Sequence, residues 1–324
     1  MSFLDQARPP KPTLTEANLP SQAGRVYIVT GGYAGVGYHL SHILYGKGAK
    51  VYVAGRSKDK ASQAISKIRK DFPASTGGEL VFLQVDFSDL ATVAKAAKAF
   101  QQQEQRLHVL WNNAGISVPP AGSKSVQGYD LQLAVHSIGP FLFSKLLLPQ
   151  LRAAAAESPA ASVRTVWVAS YLVDAQAPKG GISLDLLNNL PKDPQKCYAI
   201  SKLGSWFLAS EFNRRESSSS GIVSVAVNPG NLKTDIWQNT GKVIQLLVSP
   251  ILHDAKFGAY SELWAGLSPE VTKERGGGYV IPWGRWHPSP REDLLNAIKP
   301  EASGGSGRAQ QFYDWCDSKT ASFA

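Results

Sequence analysis

The sequence contains very little cysteine and no long uninterrupted apolar run. Only two cysteines, Cys197 and Cys316, occur in 324 residues, too few for the disulfide framework that stabilises small secreted proteins. The most apolar stretch, residues 141–151, is interrupted by Lys145 and Pro149 and is shorter than the roughly 20 apolar residues that cross a membrane. The N-terminus also lacks the basic-then-apolar order of a signal peptide. These absences predict a cytoplasmic protein without a membrane span.

A concentrated basic surface is missing as well. The net charge is +9, but lysine and arginine are scattered along the chain and are not clustered with aromatic residues, which argues against a nucleic-acid partner. No cluster of cysteine, histidine and acidic residues indicates a metal site. The remaining prediction is a globular protein that binds a small molecule, and whether its copies pair as a homodimer stays open.

Short apolar runs alternate with amphipathic stretches along most of the chain. The apolar runs are residues 25–31, 50–55, 80–86, 107–115, 163–170 and 222–230. Each is apolar nearly throughout, as a parallel strand covered on both faces should be. Segments with the helical period include 35–48, 58–71, 89–105, 128–155 and 198–215. The alternation predicts an α/β fold, with a doubly wound parallel sheet between two helical layers and ligands at the carboxyl ends of the strands.

Both ends of the chain and one internal segment depart from this alternation. Residues 1–22 are predicted to form an extended N-terminal arm, held loosely if at all, and residues 23–324 a single domain. The segment from about 231 to 268 is apolar and aromatic. It suits either a lid over the binding crevice, which is favoured, or plain core packing. Residues from about 285 to 324 form a C-terminal extension.

The first predicted strand leads directly into a glycine-rich turn and then a helix. Gly31, Gly35 and Gly37 give a T-G-x-x-x-G-x-G pattern, with Tyr33 and Val36 between them. Glycine lets the backbone turn sharply and approach a pyrophosphate at the N-terminus of a helix. A strand before the glycines and a helix after them is the context in which such a pattern binds a dinucleotide.

A basic residue stands where an NAD site has an acidic one. That acid is expected about 20 residues after the turn, where it holds the ribose hydroxyls. Here Arg56 and Ser57 occupy the position. A guanidinium beside a hydroxyl suits the 2′-phosphate of NADP, whereas an exposed basic turn is the plain alternative. With the glycine turn before it, this pair favours NADP(H) as the cofactor.

The remaining motifs follow in an order that resembles the short-chain dehydrogenase/reductase family. N-N-A-G at 112–115 is followed by A-S-Y with Ser170, then by Y-A-I-S-K with Tyr198 and Lys202, then by N-P-G-N-L-K-T. The resemblance covers roughly residues 22–285 and implies a Rossmann-type fold. Within the family, the chain is similar to the retinol-dehydrogenase and WW-domain-oxidoreductase-like branch and to reductases of fungal secondary metabolism.

The resemblance also implies where the cofactor would lie. Asp86 matches the acid that meets the adenine amino group, and the turn at 112–115 matches the one beside the adenosine. Pro229, Gly230 and Thr234 match the turn that wraps the nicotinamide. The full set of expected cofactor-binding residues is Gly31, Tyr33, Gly35, Val36, Gly37, Arg56, Ser57, Asp86, Asn113, Ala114, Gly115, Tyr198, Lys202, Pro229, Gly230 and Thr234.

Tyr198 and Lys202 lie on one face of a predicted helix because they are four residues apart. A free tyrosine titrates at about 10, and an ammonium group beside it favours the phenolate. Ser170 is expected to hold the substrate oxygen while Tyr198 donates a proton and hydride arrives from NADPH. The resemblance implies that Lys202 also contacts the ribose. These residues predict an NADP-dependent enzyme that reduces a carbonyl group.

Histidine stands where the family usually carries a fourth catalytic residue, an asparagine. The segment V-H-S-I-G puts His136 at that position. The favoured interpretation is that the ring takes part in the proton relay. Alternatively the backbone alone holds the relay water, or the chain has drifted toward a non-redox role. The intact Ser170, Tyr198 and Lys202 argue against the last of these.

The substrate class is inferred from the aromatic segment after the last long strand. Trp237 and Leu246–Leu247 in this segment indicate a fairly large apolar or aromatic ketone or aldehyde, such as a secondary metabolite. The alternative function, from a different class, is an NADP-binding auxiliary or sensor protein with little or no turnover.

Overall fold

The computed structural model describes residues 3–233 and 252–324. Within them, a mainly parallel sheet lies between two layers of helices, which confirms the predicted α/β fold. Four residues on which predictions rest lie outside the described ranges: Thr234, Trp237, Leu246 and Leu247. Those predictions therefore stay predictions.

The main sheet has eight strands in the order β10-β9-β6-β5-β4-β1-β2-β3. Its strands are β1 (Val26–Thr30), β2 (Lys50–Gly55), β3 (Glu79–Gln84), β4 (Val109–Asn112), β5 (Arg164–Val168), β6 (Val223–Val227), β9 (Tyr279–Ile281) and β10 (Arg285–Trp286). Among the described strands of this sheet, β10 alone runs antiparallel to its neighbour, β9. A separate parallel pair consists of β7 (Leu232–Lys233) and β8 (His253–Asp254).

All six predicted strands are present, and their residues explain why they form a central sheet. Val53, Leu110 and Val166 are fully buried, because helices cover both faces of these strands. The strand order changes direction between β1 and β4, whose registers pair Ile28 with Leu110. The carboxyl ends of β1 and β4 therefore form the switch point where open α/β sheets bind ligands.

Helices cover the two faces of the sheet unequally. One face carries Gly35–Gly46, Lys58–Lys70 and Ala255–Leu267. The other carries Leu90–Gln103, Leu131–Leu133, Gly139–Leu146, Leu148–Ala156, Pro194–Ser220, Glu292–Ile298 and Arg308–Thr320. Shorter helices are Phe3–Ala7, Leu172–Gln176 and Leu184–Asn188, and single 3₁₀ turns occur at Ala74–Thr76, Lys273–Arg275, Glu301–Ser303 and Ala321–Phe323.

The helix predicted at 128–155 is broken. A π-helical turn, Ala134–Ile138, interrupts its first half and carries His136, and π turns are frequent at functional sites. A bend of 53° separates Leu131–Leu146 from Leu148–Ala156. The bend coincides with Pro149, which lacks the amide hydrogen that would continue the helix. Among the described residues no single helix is long and apolar enough to span a membrane, although these two bent segments together meet that criterion.

The N-terminal arm is attached to the domain rather than loose, which corrects the prediction for residues 1–22. Gln6, Ala7 and Leu19 are all at most 4% exposed. The Gln22 amide donates to the Lys47 carbonyl oxygen at 2.8 Å. Buried apolar residues and hydrogen bonds hold the arm. The residues that make these contacts are not periodically spaced, so the sequence does not indicate the attachment.

Part of the predicted lid is instead a helix of the core. Ala259 and Leu263 in Ala255–Leu267 are fully buried. The helix approaches the one that follows the glycine turn closely, since a Cβ atom at Gly258 would lie 2.9 Å from Cγ2 of Val36. The lid prediction is therefore wrong for this part, because its apolar residues cover one face of the sheet.

The C-terminal extension also belongs to the core. Phe312 and Cys316 are at most 1% exposed and lie on the helix Arg308–Thr320. This helix contacts the long helix Pro194–Ser220 where Gly204 permits a close approach, since a Cβ atom there would lie 2.8 Å from Cζ of Phe312. The extension thus supports the helix that carries Tyr198 and Lys202.

Candidate active site

The turn after β1 is held tightly between the end of that strand and the helix that follows. Gly31 has φ +66°, a left-handed conformation that glycine adopts readily. A Cβ atom at Gly37 would lie 2.5 Å from the Gly31 carbonyl oxygen and 2.6 Å from Nδ2 of Asn113. The Asn113 side chain in turn donates to the Thr30 carbonyl oxygen at 2.7 Å. The glycine turn and the turn after β4 therefore meet at the switch point of the sheet.

These residues fit a dinucleotide cofactor. The helix Gly35–Gly46 begins after Ala34, whose side chain makes no capping hydrogen bond, and free amides at a helix N-terminus bind phosphate oxygens. Tyr33 lies against the end of β2, since a Cβ atom at Gly55 would be 2.3 Å from its Cε1. Arg56 follows Gly55 and is exposed. The cation thus stands beside the glycine turn, and its contact with a cofactor phosphate stays a prediction.

Ser57 and Asp86 lie at the same edge, after β2 and β3. The Ser57 hydroxyl accepts a hydrogen bond from the Lys60 amide at 3.4 Å and caps the helix Lys58–Lys70. Oδ1 of Asp86 accepts a hydrogen bond from the Ser88 amide at 2.9 Å. Both side chains are half-buried at the edge, and their contacts with adenosine stay predictions.

Ala114, Pro229 and Gly230 lie further along this edge, after β4 and β6. The Ala114 amide donates to Oγ1 of Thr30 at 2.9 Å, which ties the β4 turn to β1. The Gly230 amide donates to Oδ1 of Asn228 at 3.0 Å and closes the turn that contains Pro229. These predicted cofactor-binding residues therefore lie along the edge formed by the carboxyl ends of the strands.

Ser170, Tyr198 and Lys202 converge at the carboxyl end of β5. The helix Pro194–Ser220 begins before the predicted start, so that Tyr198 lies in its second turn. The Ser170 hydroxyl is hydrogen-bonded to the Tyr198 side chain. Nζ of Lys202 lies 5.8 Å from the centroid of the tyrosine ring and donates to the Val168 carbonyl oxygen at 2.9 Å. The three predicted residues thus form one cluster.

Burial sets the protonation of this cluster. It raises the pKa of Tyr198 to about 12, and the hydrogen bond from Ser170 opposes this rise. Burial also lowers the pKa of Lys202 to about 8, against the opposing charge of Glu262. Since Lys202 is only 4% exposed, it releases its proton far more readily than a surface lysine.

Glu262 is a buried acid that was not predicted as a site residue. It lies in the helix Ala255–Leu267 and is fully buried, and neither carboxylate oxygen has a hydrogen-bond partner among the described residues. Its backbone oxygen accepts a hydrogen bond from Nε1 of Trp111 at 2.8 Å. Burial raises the pKa of its carboxyl group to about 8, although Lys202 opposes this. A single glutamate within an apolar helical pattern does not indicate that it lies near Lys202 in the fold.

His136 links the turn after β4 to the catalytic helix. Its Nε2 accepts a hydrogen bond from the Ile116 amide at 3.0 Å, so the proton of the neutral ring is on Nδ1. Nδ1 lies 2.8 Å from Oγ of Ser201 and donates to it. The Ser201 hydroxyl in turn donates to the Tyr198 carbonyl oxygen at 2.8 Å. Both ring nitrogens are therefore bonded to protein groups, and these bonds leave neither of them free for the role in the proton relay that was the favoured prediction.

The surroundings of His136 keep its ring neutral. The residue is 3% exposed, and burial, together with the charge of Lys202, holds its pKa well below 6.5. The ring also contacts Tyr198 edge-on, with centroids 5.4 Å apart. Ser201, which completes this link, was not predicted, although its hydroxyl directly before Lys202 in Y-A-I-S-K was a visible signal.

The described residues contain no group of three or more His, Cys, Asp or Glu side chains arranged to hold a metal ion. The groups that meet in the cluster are the phenol of Tyr198, the ammonium group of Lys202 and the hydroxyl of Ser170. Beside a site that fits a dinucleotide, these groups can bind a carbonyl oxygen and transfer a proton to it.

Comparison with known proteins agrees with this arrangement. Residues 25–171 match the family model described as short chain dehydrogenase. The chain is 43% identical to the short-chain dehydrogenase/reductase iacJ of Pestalotiopsis fici, over 96% of this chain and 95% of that protein. It is 40% identical to the short-chain dehydrogenase/reductase bet4 of Neocamarosporium betae, over 99% and 94% respectively. The chain belongs to the short-chain dehydrogenase/reductase family, a family of oxidoreductases, and its predicted likeness to fungal members is confirmed.

Comparison with a solved structure also supports the fold. The chain resembles RhlG of Pseudomonas aeruginosa, solved as an active-site complex with NADP, with a TM-score of 0.60. The two sequences are 22% identical, and the match covers 78% of this chain and 94% of that one. At this level of identity the comparison establishes a shared fold.

Proposed function

We propose that this chain is an NADP(H)-dependent oxidoreductase that reduces the carbonyl group of a fairly large apolar or aromatic small molecule. The observation that carries the proposal is the cluster of Ser170, Tyr198 and Lys202 beside the glycine turn. The hydrogen bond between Ser170 and Tyr198 and the Lys202 ammonium group 5.8 Å from the tyrosine ring are what acid catalysis at a carbonyl oxygen needs.

The reaction divides between the cofactor and the residues of this chain. A bound nicotinamide dinucleotide supplies the hydride in reduction and takes it up in oxidation. The Ser170 hydroxyl donates a hydrogen bond to the substrate oxygen and orients it toward Tyr198. Tyr198 gives its phenolic proton to that oxygen, and the Lys202 ammonium group stabilises the phenolate that remains.

Preference for NADP(H) rests on the edge beside β2. Arg56 is exposed directly after the strand, where its guanidinium can bind a phosphate in bidentate fashion. The hydroxyl of Ser57, next in the chain, adds a second polar group. The NADP complex of the structurally similar RhlG is consistent with this choice, and no acidic side chain occupies the position that would favour NAD.

The substrate class is supported by aromatic side chains beside the turn that contains Gly230. A Cβ atom at Gly230 would lie 3.4 Å from Nε1 of Trp283. The Trp283 ring lies 4.6 Å from that of Phe257 and 4.7 Å from that of His253, between centroids. Aromatic faces at this edge suit an apolar or aromatic substrate better than a small charged one.

A cofactor assay tests the proposal. The purified protein is mixed with NADPH or NADH and a panel of aromatic ketones, quinones and aldehydes, and loss of the nicotinamide absorbance is followed. We expect turnover with NADPH at least about tenfold faster than with NADH. If NADPH binds but no member of the panel is reduced, the chain is better described as a cofactor-binding auxiliary protein.

A further inference from the structure

The N-terminal segment Asp5–Ala7 lies at the same edge of the sheet as the candidate active site. The side chain of Gln6 is only 4% exposed although it is polar and close to the chain terminus. Its Nε2 donates to Oδ2 of Asp174 at 2.9 Å, and its Oε1 accepts from Nδ2 of Asn228 at 2.7 Å. Both ends of the amide are therefore paired, as a buried polar group requires.

The two partners of Gln6 are directly connected to the predicted catalytic turns. Asp174 lies in the short helix that follows Ser170. Asn228 uses its Oδ1 to hold the Gly230 amide at 3.0 Å. One glutamine thus joins the loop after β5, which presents Ser170, to the turn after β6, which is expected to wrap the nicotinamide.

Other contacts fix the same segment from further elements. His253 donates through Nε2 to the Ala7 carbonyl oxygen at 2.8 Å. Arg285 donates to the Asp5 carbonyl oxygen at 3.0 Å. The Asp174 carboxylate is itself held by His287, 3.1 Å away. Four elements of the domain therefore hold the segment in place.

The rest of the arm is attached differently. Glu16 pairs with Lys256 at 2.6 Å, but both side chains are more than 40% exposed, and exposed ion pairs contribute little to stability. Gln22, at the other end of the arm, is buried and bonded to Tyr27 and Lys47, away from the loops after β5 and β6. Gln6 therefore provides the buried polar contacts between the arm and these two loops, at the edge where this class of sheet binds ligands.

We propose that Asp5–Ala7 forms one wall of the substrate cleft, and that Gln6 is a positioning residue that determines selectivity for bulky carbonyl substrates. This inference rests on the proposed function, because it concerns the substrate of that same site. Gln6 acts by holding the loop of Ser170 and the turn of Gly230 at a fixed separation, so that a large substrate is contacted on both sides.

Three variants of the 324-residue chain test this proposal. Gln6→Ala removes both hydrogen bonds of the amide. Gln6→Glu keeps the shape but places a second carboxylate against Asp174, which repels it. Glu16→Gln is the matched control, because it changes one polar side chain of the same arm away from the cleft.

The kinetic probes are the three-ring 9,10-phenanthrenequinone and the four-carbon 2,3-butanedione, each with NADPH. Gln6→Ala and Gln6→Glu should raise KM for the large quinone by about tenfold or more and change KM for the small diketone by less than about twofold. Glu16→Gln should resemble the wild type with both probes. An equal change for both probes, or improved use of the large one, would overturn the proposal.

Two further measurements do not depend on turnover. Hydrogen exchange of the protein without cofactor should be faster at residues 5–9 in Gln6→Ala than in the wild type or Glu16→Gln. Binding of phenanthrenequinone in the presence of NADP⁺, where no reduction occurs, should weaken about tenfold in Gln6→Ala. If the wild type reduces neither probe but Gln6→Ala still binds phenanthrenequinone more weakly, the proposed reductase activity is wrong and the role of Asp5–Ala7 in the cleft is supported. If binding is unchanged, the wall is refuted.

Discussion

The backbone amide of Ile116 donates a hydrogen bond of 3.0 Å to Nε2 of His136. This contact fixes the ring with its proton on Nδ1, from which it bonds to Ser201 in the catalytic helix. The asparagine that the family resemblance leads one to expect here has a shorter side chain, which does not extend as far as Nε2 of the histidine ring. His136 therefore holds two chain segments together, and we expect it to position Tyr198 rather than to carry a proton.

Replacement of His136 tests this positioning role. Asparagine can reach Ser201 but not Ile116, and alanine reaches neither. We expect His136→Ala to lower the free energy of unfolding by about 2–4 kcal/mol, because it leaves a cavity and two unpaired polar groups. His136→Asn should lower it less and should reduce kcat by about tenfold or less. Urea unfolding and steady-state kinetics give the two quantities.

The pH profile separates the positioning role from a relay. Because the pKa of His136 lies well below 6.5, the ring stays neutral through the working range. The plots of log kcat against pH for the wild type and His136→Asn should therefore be parallel between about pH 6 and 8. An inflection in the wild type that disappears in the variant would show that the side chain titrates during turnover.

Arg56 is expected to select NADPH over NADH. In Arg56→Ala the dissociation constant for NADPH should rise by about 10–100-fold, because a guanidinium–phosphate pair is lost. The constant for NADH should change by less than about twofold. Lys58→Ala, which removes an exposed cation two residues further on, is the matched control. Fluorescence titration measures the dissociation constants of both cofactors for the wild type and the two variants. Equal weakening of NADPH and NADH binding in Arg56→Ala would refute the phosphate contact.

Glu262 should make stability depend on pH. In the unfolded chain its carboxyl group ionises near the ordinary 4.5, but in the folded protein the pKa is raised to about 8. Between these values the folded state binds more protons than the unfolded state, so stability falls as the pH rises. Glu262→Gln cannot ionise and escapes this loss. Between about pH 5 and 8, the free energy of unfolding should therefore fall by about 1–3 kcal/mol more in the wild type than in Glu262→Gln.

The measurement is urea unfolding of both proteins across that pH range. Glu292 is exposed, so Glu292→Gln serves as the control and should follow the wild type. Curves of unfolding free energy against pH that run parallel for the wild type and Glu262→Gln would contradict the raised pKa.

The sheet and the glycine turn could be predicted because the sequence patterns that indicate them are local. A run such as residues 50–55 is apolar throughout, and a buried parallel strand requires that composition. Gly31 adopts a left-handed backbone conformation, and Gly37 approaches the Gly31 carbonyl oxygen too closely for a side chain. Both requirements arise between residues only a few positions apart. Ser170, Tyr198 and Lys202 were predicted differently, from the order of the later motifs and the family that this order resembles.

The relationships that were missed depend on residues far apart in the chain. Gln6 meets Asn228 across 222 positions, and an arm rich in proline and polar residues shows no periodicity that would place it. Glu262 approaches Lys202 only because the helix that carries it packs on the sheet. The break in the helix at 128–155 could have been located at Pro149, but the π turn around His136 has no comparable marker.

Tyr198→Phe provides the most direct test of the proposed reaction. The change removes the phenolic oxygen and keeps the ring, so NADPH should bind within about twofold of the wild-type affinity. The rate of NADPH oxidation with a reducible aromatic ketone should fall by about 10²–10⁴-fold or more. A variant that binds NADPH normally and retains most of the wild-type rate would contradict the assignment of Tyr198 as the proton donor.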